Sequence, residues 1–237
     1  MTTLLAPPRT IAAAACRAPW GPTAEGLPGA APAELPGVPG FVLSRFNPLI
    51  ADVVVACLGE PGTDGDLTAG SGASTAIVLA TTYGDTTTSD VATQRLVDGQ
   101  VHSPLLFFQS VTTSILGHLT KRYGITGQLS CVSAGTEPAL AALELADVLL
   151  DEDDVTQVLI VGVETAANER VDWVRERVGT DRLFGPLPHA DAAVALLLRE
   201  DRDGQTSGTR RLSAARWPEY GWLSPLAELA ELAAPQA

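Results

Sequence analysis

The sequence predicts an α/β fold in which a mixed, mostly parallel sheet is flanked by helices. Runs typical of buried strands alternate along the chain with runs typical of helices, and this order favours a largely parallel sheet. Val158–Gly162 is apolar throughout, as expected for a strand covered on both faces, and Glu137–Leu150 has the apolar spacing of a helix. A chain of 237 residues is long enough for one well-buried core and short for two.

The predicted strands are short runs rich in apolar or small residues. In chain order they are Arg9–Ala15, Thr75–Thr81, Gln128–Ser133, Val158–Gly162 and Ala190–Leu198. A turn is predicted at Pro19–Pro22. Residues 21–40 are rich in Gly, Pro and Ala, which indicates a loop, and residues 59–74 also have a loop composition.

Helices are predicted where apolar residues recur at the helical period. They are Ser44–Leu58, Val91–Asp98, the second part of 103–123, Glu137–Leu150 and a short amphipathic helix at Ser224–Ala234. Pro48 lies near the start of its helix, where a missing N–H costs little. Thr136 is the predicted N-cap of Glu137–Leu150, with Pro138 in the first turn, and Ser224 is the predicted N-cap of the last helix.

Charge and hydropathy exclude several classes of partner. The chain has 28 acidic and 15 basic residues and a formal net charge of −13, which argues against nucleic acid or an anionic membrane as a partner. No apolar run has the length of a transmembrane helix. The N-terminal stretch lacks the basic start of a signal peptide and is interrupted by Pro7, Pro8 and Arg9, so we expect no export.

The cysteines and glycines give no sign of a metal or cofactor site. Cys16, Cys57 and Cys131 are odd in number and far apart, and no Cys or His pair has the spacing of zinc ligands. The glycine-rich run at 70–74 precedes its strand, so it is not a dinucleotide loop. We therefore expect no metal, no cofactor and a reducing, cytoplasmic location.

The segment Ser103–Glu164 contains the most informative pattern of the chain. It includes GHLTKRYGITG at Gly117–Gly127 and VLIVGVE at Val158–Glu164. The segment closely resembles the heart of the N-terminal half of the β-ketoacyl synthases, which are thiolase-like condensing enzymes. Counted without a gap from either motif, the position of the family's nucleophilic cysteine falls on Thr136.

The resemblance also implies the domain organisation. Residues 1–200 are identified as a single ketosynthase-like N-terminal half, and the second half of the condensing-enzyme fold is absent. Residues 201–237 form a tail with a short helix, which either packs on its own domain or docks on a partner. Small chain length factor subunits of aryl-polyene and related type II polyketide systems are similar in size, in the lost cysteine and in the Arg-Phe-x-Pro motif that starts at Arg45.

The chain lacks the catalytic set that the resemblance would require. The family uses a cysteine and two histidines, and both histidines belong to the absent half. His102, His118 and His189 match none of the family's histidine motifs, so structural or surface roles are expected for them. Two nucleophile alternatives stay open. The Thr136 hydroxyl would need an adjacent base, and Cys131 is placed by gap-free counting on the preceding buried strand, as a small hydrophobe.

One further segment aligns with a functional region of the family. It crosses the dimer interface in condensing enzymes and helps to wall the partner's acyl pocket. The aligned residues here are Phe107, Phe108, Gln109, Thr112 and Thr113. The family usually carries an asparagine where Thr113 stands. Bulky side chains at this place would shorten the acyl channel by filling its volume, and plain interface packing is the alternative.

Glu164 matches the acid that ends the family's Gly-Gly-x-Glu strand, where it holds loops through buried hydrogen bonds. A buried carboxylate must be paired, and Arg170 is one candidate partner for it.

The sequence therefore predicts a non-catalytic, ketosynthase-like chain length factor. It would form a heterodimer with a full-length ketosynthase, shape the partner's acyl pocket and limit product length in polyketide or fatty-acid-like biosynthesis. An acyl carrier protein would be reached through the complex, because the acidity of this chain disfavours a large carrier-docking surface of its own. Two alternatives remain: an active acyltransferase or condensing enzyme that uses Cys131 or Thr136, and a structural scaffold of a biosynthetic complex.

Overall fold

The computed structural model of the chain describes residues 3–4, 9–19, 25–31, 34–100, 103–166, 168–178, 185–200, 210–211 and 216–233. His102, Ala234 and most of the predicted turn after Pro19 lie outside these residues. The strands are β1 (Thr3–Leu4), β2 (Arg9–Arg17), β3 (Thr75–Ala80), β4 (Leu129–Val132), β5 (Gln157–Glu164), β6 (Ala192–Glu200) and β7 (Arg210–Arg211). The α-helices are α1 (Phe46–Leu58), α2 (Thr86–Val97), α3 (Pro104–Ser110), α4 (Ser114–Tyr123), α5 (Pro138–Leu150), α6 (Glu169–Val178) and α7 (Ser224–Ala233). Short 3-10 segments cover Gly72–Ser74 and Pro218–Leu223.

The main sheet has five strands in the order β2–β6–β5–β3–β4. β3 pairs in parallel with both β4 and β5, whereas β6 is antiparallel to both β5 and β2. β6 therefore runs against the other four strands. β1 and β7 form a separate two-stranded sheet. The predicted fold class, a mixed sheet flanked by helices, is confirmed.

Each face of the sheet is covered by its own pair of helices. Along β5, Val158 and Ile160 join the core beneath α5 and α7, while Leu159 and Val161 join the core beneath α1 and α4. All eight residues of β5 are buried. This explains why the strand is apolar throughout, because both of its faces meet helices and neither meets water.

Local signals in the sequence set several helix boundaries. The Asp85 carboxylate accepts a hydrogen bond from the Thr88 N–H at 3.0 Å and caps α2. The Ser103 hydroxyl accepts one from the Leu106 N–H and caps α3, which has Pro104 in its first turn. Gly124 ends α4 in the left-handed conformation, with φ of 64°, where glycine has no steric penalty.

The structure corrects several predicted boundaries. α2 begins at Thr86 rather than Val91, because Asp85 caps a threonine-rich turn of low intrinsic helix propensity. The N-cap of α5 is Glu137, not Thr136, and no side chain caps that helix. Ser224 is the first residue of α7, and its hydroxyl accepts a hydrogen bond from the Trp217 N–H at 3.1 Å. α6 was not predicted, since its run of charged residues has few apolar positions.

None of the helices in the described ranges combines the length and the apolar character that crossing a membrane requires.

Candidate functional site

Three loops meet at one edge of the sheet, because β3, β4 and β5 are parallel and end together. They are the loop at residues 81–85, the elbow loop Ser133–Glu137, and the end of β5 at Glu164. The Ser133 hydroxyl donates a hydrogen bond to the Thr82 carbonyl oxygen at 3.0 Å, which joins the first two loops. Crevices at the carboxyl ends of parallel strands are where α/β folds commonly place their sites.

Thr136, at the predicted nucleophile position, lies exposed on the elbow loop. Within the described ranges, no residue forms a hydrogen bond with its hydroxyl. A threonine hydroxyl becomes nucleophilic only when a neighbouring base takes its proton. The geometry of the described residues therefore supplies no activation for Thr136.

Cys131 is exposed, in contrast to the buried position that the sequence predicted. The reason is the strand order: β4 is an edge strand, and its residues alternate between exposed and half-buried positions. Partial burial raises the pKa of the Cys131 thiol, so the reactive thiolate is scarce at neutral pH. Cys16 and Cys57 are buried in the core, and burial raises the pKa of each to about 12.

Neither of the two described histidines forms a hydrogen bond with a described residue of the elbow loop. His118 lies on α4, edge-on to Phe41 with ring centroids 6.5 Å apart. Burial, and then the nearby Arg122, lowers the pKa of His118. It borders a groove of about 370 Å³ between α1 and residues 36–39. His189 is exposed, and its backbone N–H donates to the Glu219 carbonyl oxygen at 2.8 Å.

Glu164 is fully buried and collects four hydrogen bonds. Its Oε2 accepts from the Thr82 N–H at 2.7 Å and from the Trp222 indole N–H at 3.0 Å. Its Oε1 accepts from the Thr81 hydroxyl at 3.2 Å and the Tyr83 N–H at 3.3 Å. Burial raises the pKa of Glu164, while the hydrogen bonds oppose that shift.

Arg170, suggested by the sequence as a partner of Glu164, pairs elsewhere. Its guanidinium lies 2.5 Å from the carboxylate of Asp90 on α2. Among the described residues, the partners of Glu164 are thus neutral donors from the loop after β3 and from Trp222 rather than a cation.

The floor of the elbow loop is built by Gly185 and Trp222. The Gly185 N–H donates to the Gly135 carbonyl oxygen at 3.1 Å. A Cβ on Gly185 would lie 2.6 Å from the Thr136 carbonyl oxygen and 3.2 Å from the Trp222 Cβ, so only glycine fits there. The Trp222 N–H in turn donates to the Pro186 carbonyl oxygen at 2.7 Å.

The segment predicted to cross a dimer interface forms α3 and its junction with α4. Phe107 is 72% exposed, and Phe108 is 45% exposed with its ring 5.5 Å from that of Phe41. Gln109 points inward and is buried, and its Oε1 has no hydrogen-bond partner in the described part of the chain. The predicted acyl-pocket residues thus divide into outward rings and an inward amide.

The two threonines after α3 also differ in their exposure to solvent. Thr113 is exposed and precedes α4 without a side-chain capping bond. Thr112 is half-buried, and its hydroxyl oxygen would lie 2.6 Å from a Cβ on Gly84. A larger residue at position 112 would therefore collide with the loop after β3 before it could reach a partner.

Most of the large apolar side chains that the described residues expose lie around α3. α2 packs against α3, and Phe41, which contacts Phe108, precedes the exposed Val42. We call this surface the α3 patch. Its members are Val42, Leu43, Leu96, Val97, Leu105, Phe107, Phe108 and Val111. Concentrated apolar surface of this kind marks an interaction site more often than scattered exposed residues do.

Sequence reasoning missed Trp222 and the buried network of Asp85. The Asp85 Oδ2 accepts from the Ser44 hydroxyl at 2.6 Å and the Asn47 amide at 3.1 Å, so it ties the start of α1 to α2. An aspartate followed by three threonines is an N-cap signal that could have revealed Asp85. Trp222 gave no comparable signal, because its partner Glu164 is far away in the chain.

No group of three or more potential metal ligands occurs among the residues described by the structure.

Comparison with known families gives one match that covers most of the chain. A family model described as "Beta-ketoacyl synthase, N-terminal domain" matches residues 66–219. No curated protein matches the chain.

Solved structures with the same fold include complexes of ketosynthases. One is a ketosynthase (ApeO) in complex with its chain length factor (ApeC) from Xenorhabdus doucetiae, with 23% identity, a TM-score of 0.58, and coverage of 84% of this chain and 80% of that chain. The ishigamide ketosynthase/chain length factor has 17% identity, a TM-score of 0.60, and coverage of 83% and 63%. A type II PKS acyl-carrier protein in complex with its ketosynthase (AntDE:AntF) has 16% identity, a TM-score of 0.59, and coverage of 85% and 60%. At these identities the likeness establishes the fold. The chain spans less than two thirds of the last two matched chains.

Proposed function

Because this chain belongs to the family of β-ketoacyl synthase N-terminal domains, we propose that it is a non-catalytic chain length factor. It pairs with a full-length ketosynthase in the cytoplasm, shapes that partner's acyl pocket and limits the length of a polyketide or fatty-acid-like product. The carrier protein is reached through the complex.

The elbow loop is the observation that carries this proposal. Acyl transfer by a condensing enzyme needs an activated nucleophile at the carboxyl edge of the sheet, and the residue there is Thr136, whose hydroxyl is not hydrogen-bonded by any described residue. The family fold is retained around it, including the buried hydrogen bonds of Glu164. A ketosynthase-like domain that lacks an activated nucleophile can still bind a partner subunit and contribute to the shape of its pocket.

The α3 patch and the edge strand β4 support a protein partner. The patch exposes two phenylalanine rings beside aliphatic side chains, and aromatic residues are enriched in interface cores. Among the described strands, β4 pairs only with β3, so its other side is available to a partner strand. The ApeO–ApeC complex also supports a protein partner. The alignment covers 84% of this chain and 80% of the matched chain, so the two chains have nearly the same length.

Product length is the decisive measurement. We would combine the chain with a full-length ketosynthase at concentrations that keep every variant complex saturated, add carrier protein and extender units, and determine chain lengths by mass spectrometry. Phe107→Ala should lengthen the products by opening volume, and Thr113→Trp should shorten them by filling it. Trp173→Ala, an exposed aromatic on α6 outside the patch, should leave the distribution unchanged.

Two outcomes favour the alternative functions. If chain lengths stay the same in Phe107→Ala and Thr113→Trp while the complex remains intact, the chain is a structural scaffold. The exposed thiol of Cys131 keeps the enzyme alternative testable. Formation of an acyl-enzyme on this chain that is abolished by Cys131→Ala or Thr136→Ala would establish that alternative instead.

A further inference from the structure

The core of the domain continues past the residues that define the family. The family model ends at residue 219, within the 3-10 segment Pro218–Leu223, and α7 follows it. We call Pro218–Ala233 the closing segment. Seven of its apolar residues are at most 7% exposed: Tyr220, Trp222, Leu223, Leu226, Ala227, Leu229 and Ala230.

These side chains cover the sheet on the side of α5. α7 packs on β2 and β6, and its buried residues belong to the same core as Leu143 of α5 and Leu196 of β6. Gly162 on β5 is shaped to receive them. A Cβ at Gly162 would lie 2.5 Å from Leu223 Cδ2 and 2.8 Å from Leu226 Cδ1. The absence of a side chain at Gly162 therefore makes room for these two leucines of the closing segment.

Directional hydrogen bonds fix the closing segment in one position. The Tyr220 hydroxyl donates to the Pro28 carbonyl oxygen at 2.5 Å, and the Trp222 indole N–H donates to Glu164 at 3.0 Å. Gly221 has φ of 54°, and a Cβ there would lie 2.3 Å from the Leu187 carbonyl carbon. The segment is thus tied to the loop after β2, to the end of β5 and to the loop before β6.

We propose that the closing segment is an internal cover that completes the core on the α5 side of the sheet. It occupies the α5 side of the sheet from within the same chain. That side of the sheet is therefore covered from within the chain, and the described domain can fold without a second subunit. This differs from a docking helix, which would leave its apolar stripe free until a partner arrives.

Hydrogen exchange on the unmodified, isolated chain tests this proposal directly. If the segment completes the core, amides of α7 should exchange only with global unfolding, and their protection factors should agree with those of β5 within about tenfold. A docking helix would instead exchange within seconds in the isolated chain and become protected when a full-length ketosynthase is added. That second pattern overturns the proposal.

Two substitutions in the full chain give an independent measure. Leu226→Ala removes a fully buried side chain and should raise the unfolding equilibrium constant at least about 30-fold, the lower range for buried leucines. Leu232→Ala, on the exposed side of the same helix at 49% exposure, should change it less than about threefold. Equal and small effects of both substitutions, measured by urea unfolding, would also overturn the proposal. A Leu226→Ala chain that fails to fold supports it if Leu232→Ala folds normally.

Discussion

The two phenylalanines of α3 should separate folding stability from partner binding. Phe107 makes few contacts within its own chain, since it is 72% exposed, so Phe107→Ala should change the free energy of unfolding by less than about 0.5 kcal/mol. Phe108 is 45% exposed and packs on Phe41 at 5.5 Å. Losing that aromatic pair removes roughly 0.5–1.5 kcal/mol, in addition to the buried area of the ring.

Binding should show the opposite order. A ring buried at the centre of an interface typically contributes 2 kcal/mol or more, and truncating Phe107 should therefore weaken the Kd for a full-length ketosynthase at least about 30-fold. Phe108→Ala should weaken binding less, because part of its ring is already covered by Phe41. Urea unfolding of the isolated variants and biolayer interferometry against the immobilised ketosynthase measure the two quantities.

Trp173→Ala is the matched control for both assays. Trp173 is a 54% exposed aromatic on α6 that stacks with Arg177 and lies outside the α3 patch. Its truncation should leave the Kd within about twofold. If Trp173→Ala weakens binding as much as Phe107→Ala, or if neither phenylalanine variant affects the Kd, the assignment of the α3 patch as the interface is wrong.

Three further predictions concern the core and the thiols. Ellman's reagent should titrate one thiol per native chain, which is Cys131 on β4, and three thiols after denaturation. Cys131 should become protected in the ketosynthase complex if the partner covers the β4 edge of the sheet. Gly221→Ala should cost at least about 2 kcal/mol more in urea unfolding than Gly62→Ala, because both glycines have positive φ but only the first lacks room for a Cβ. Glu164→Gln should cost roughly 2–4 kcal/mol, since an amide cannot accept all four hydrogen bonds. Urea unfolding of the wild type and of Glu164→Gln measures this difference, and equal stabilities would contradict the prediction.

The sequence predicted the strands well because continuous burial leaves a direct trace in composition. β5 and β6 meet helices on both faces, so nearly every residue in them is apolar. α2 and α3 were harder to predict, since their sequences have little helical periodicity and their starts depend on the caps Asp85 and Ser103. Capping is a contact between particular atoms, so it is indicated by a short motif such as Asp-Thr-Thr-Thr at 85–88 and not by composition or periodicity.

The candidate site shows a different limit. The position of Thr136 followed from counting along the chain, but its surroundings depend on which strands lie next to each other. Cys131 was expected to be buried because its strand looks like the others, and it is exposed because β4 lies at the sheet edge. Likewise, Trp222 meets Glu164 only through the packing of the closing segment. Strand order and long-range packing are properties of the whole fold and leave no local pattern.

The pairing of β2 with β6 has a consequence for how the protein is made. Arg9 lies opposite Glu200 in the sheet, so an edge strand from the start of the chain waits for a partner that is synthesised near the end. α7, which covers both strands, emerges later still. Distant pairings of this kind fold slowly, and the unfinished sheet presents apolar surface during translation. Until α7 has been synthesised, we therefore expect the nascent chain to need protection from aggregation, as a chaperone provides.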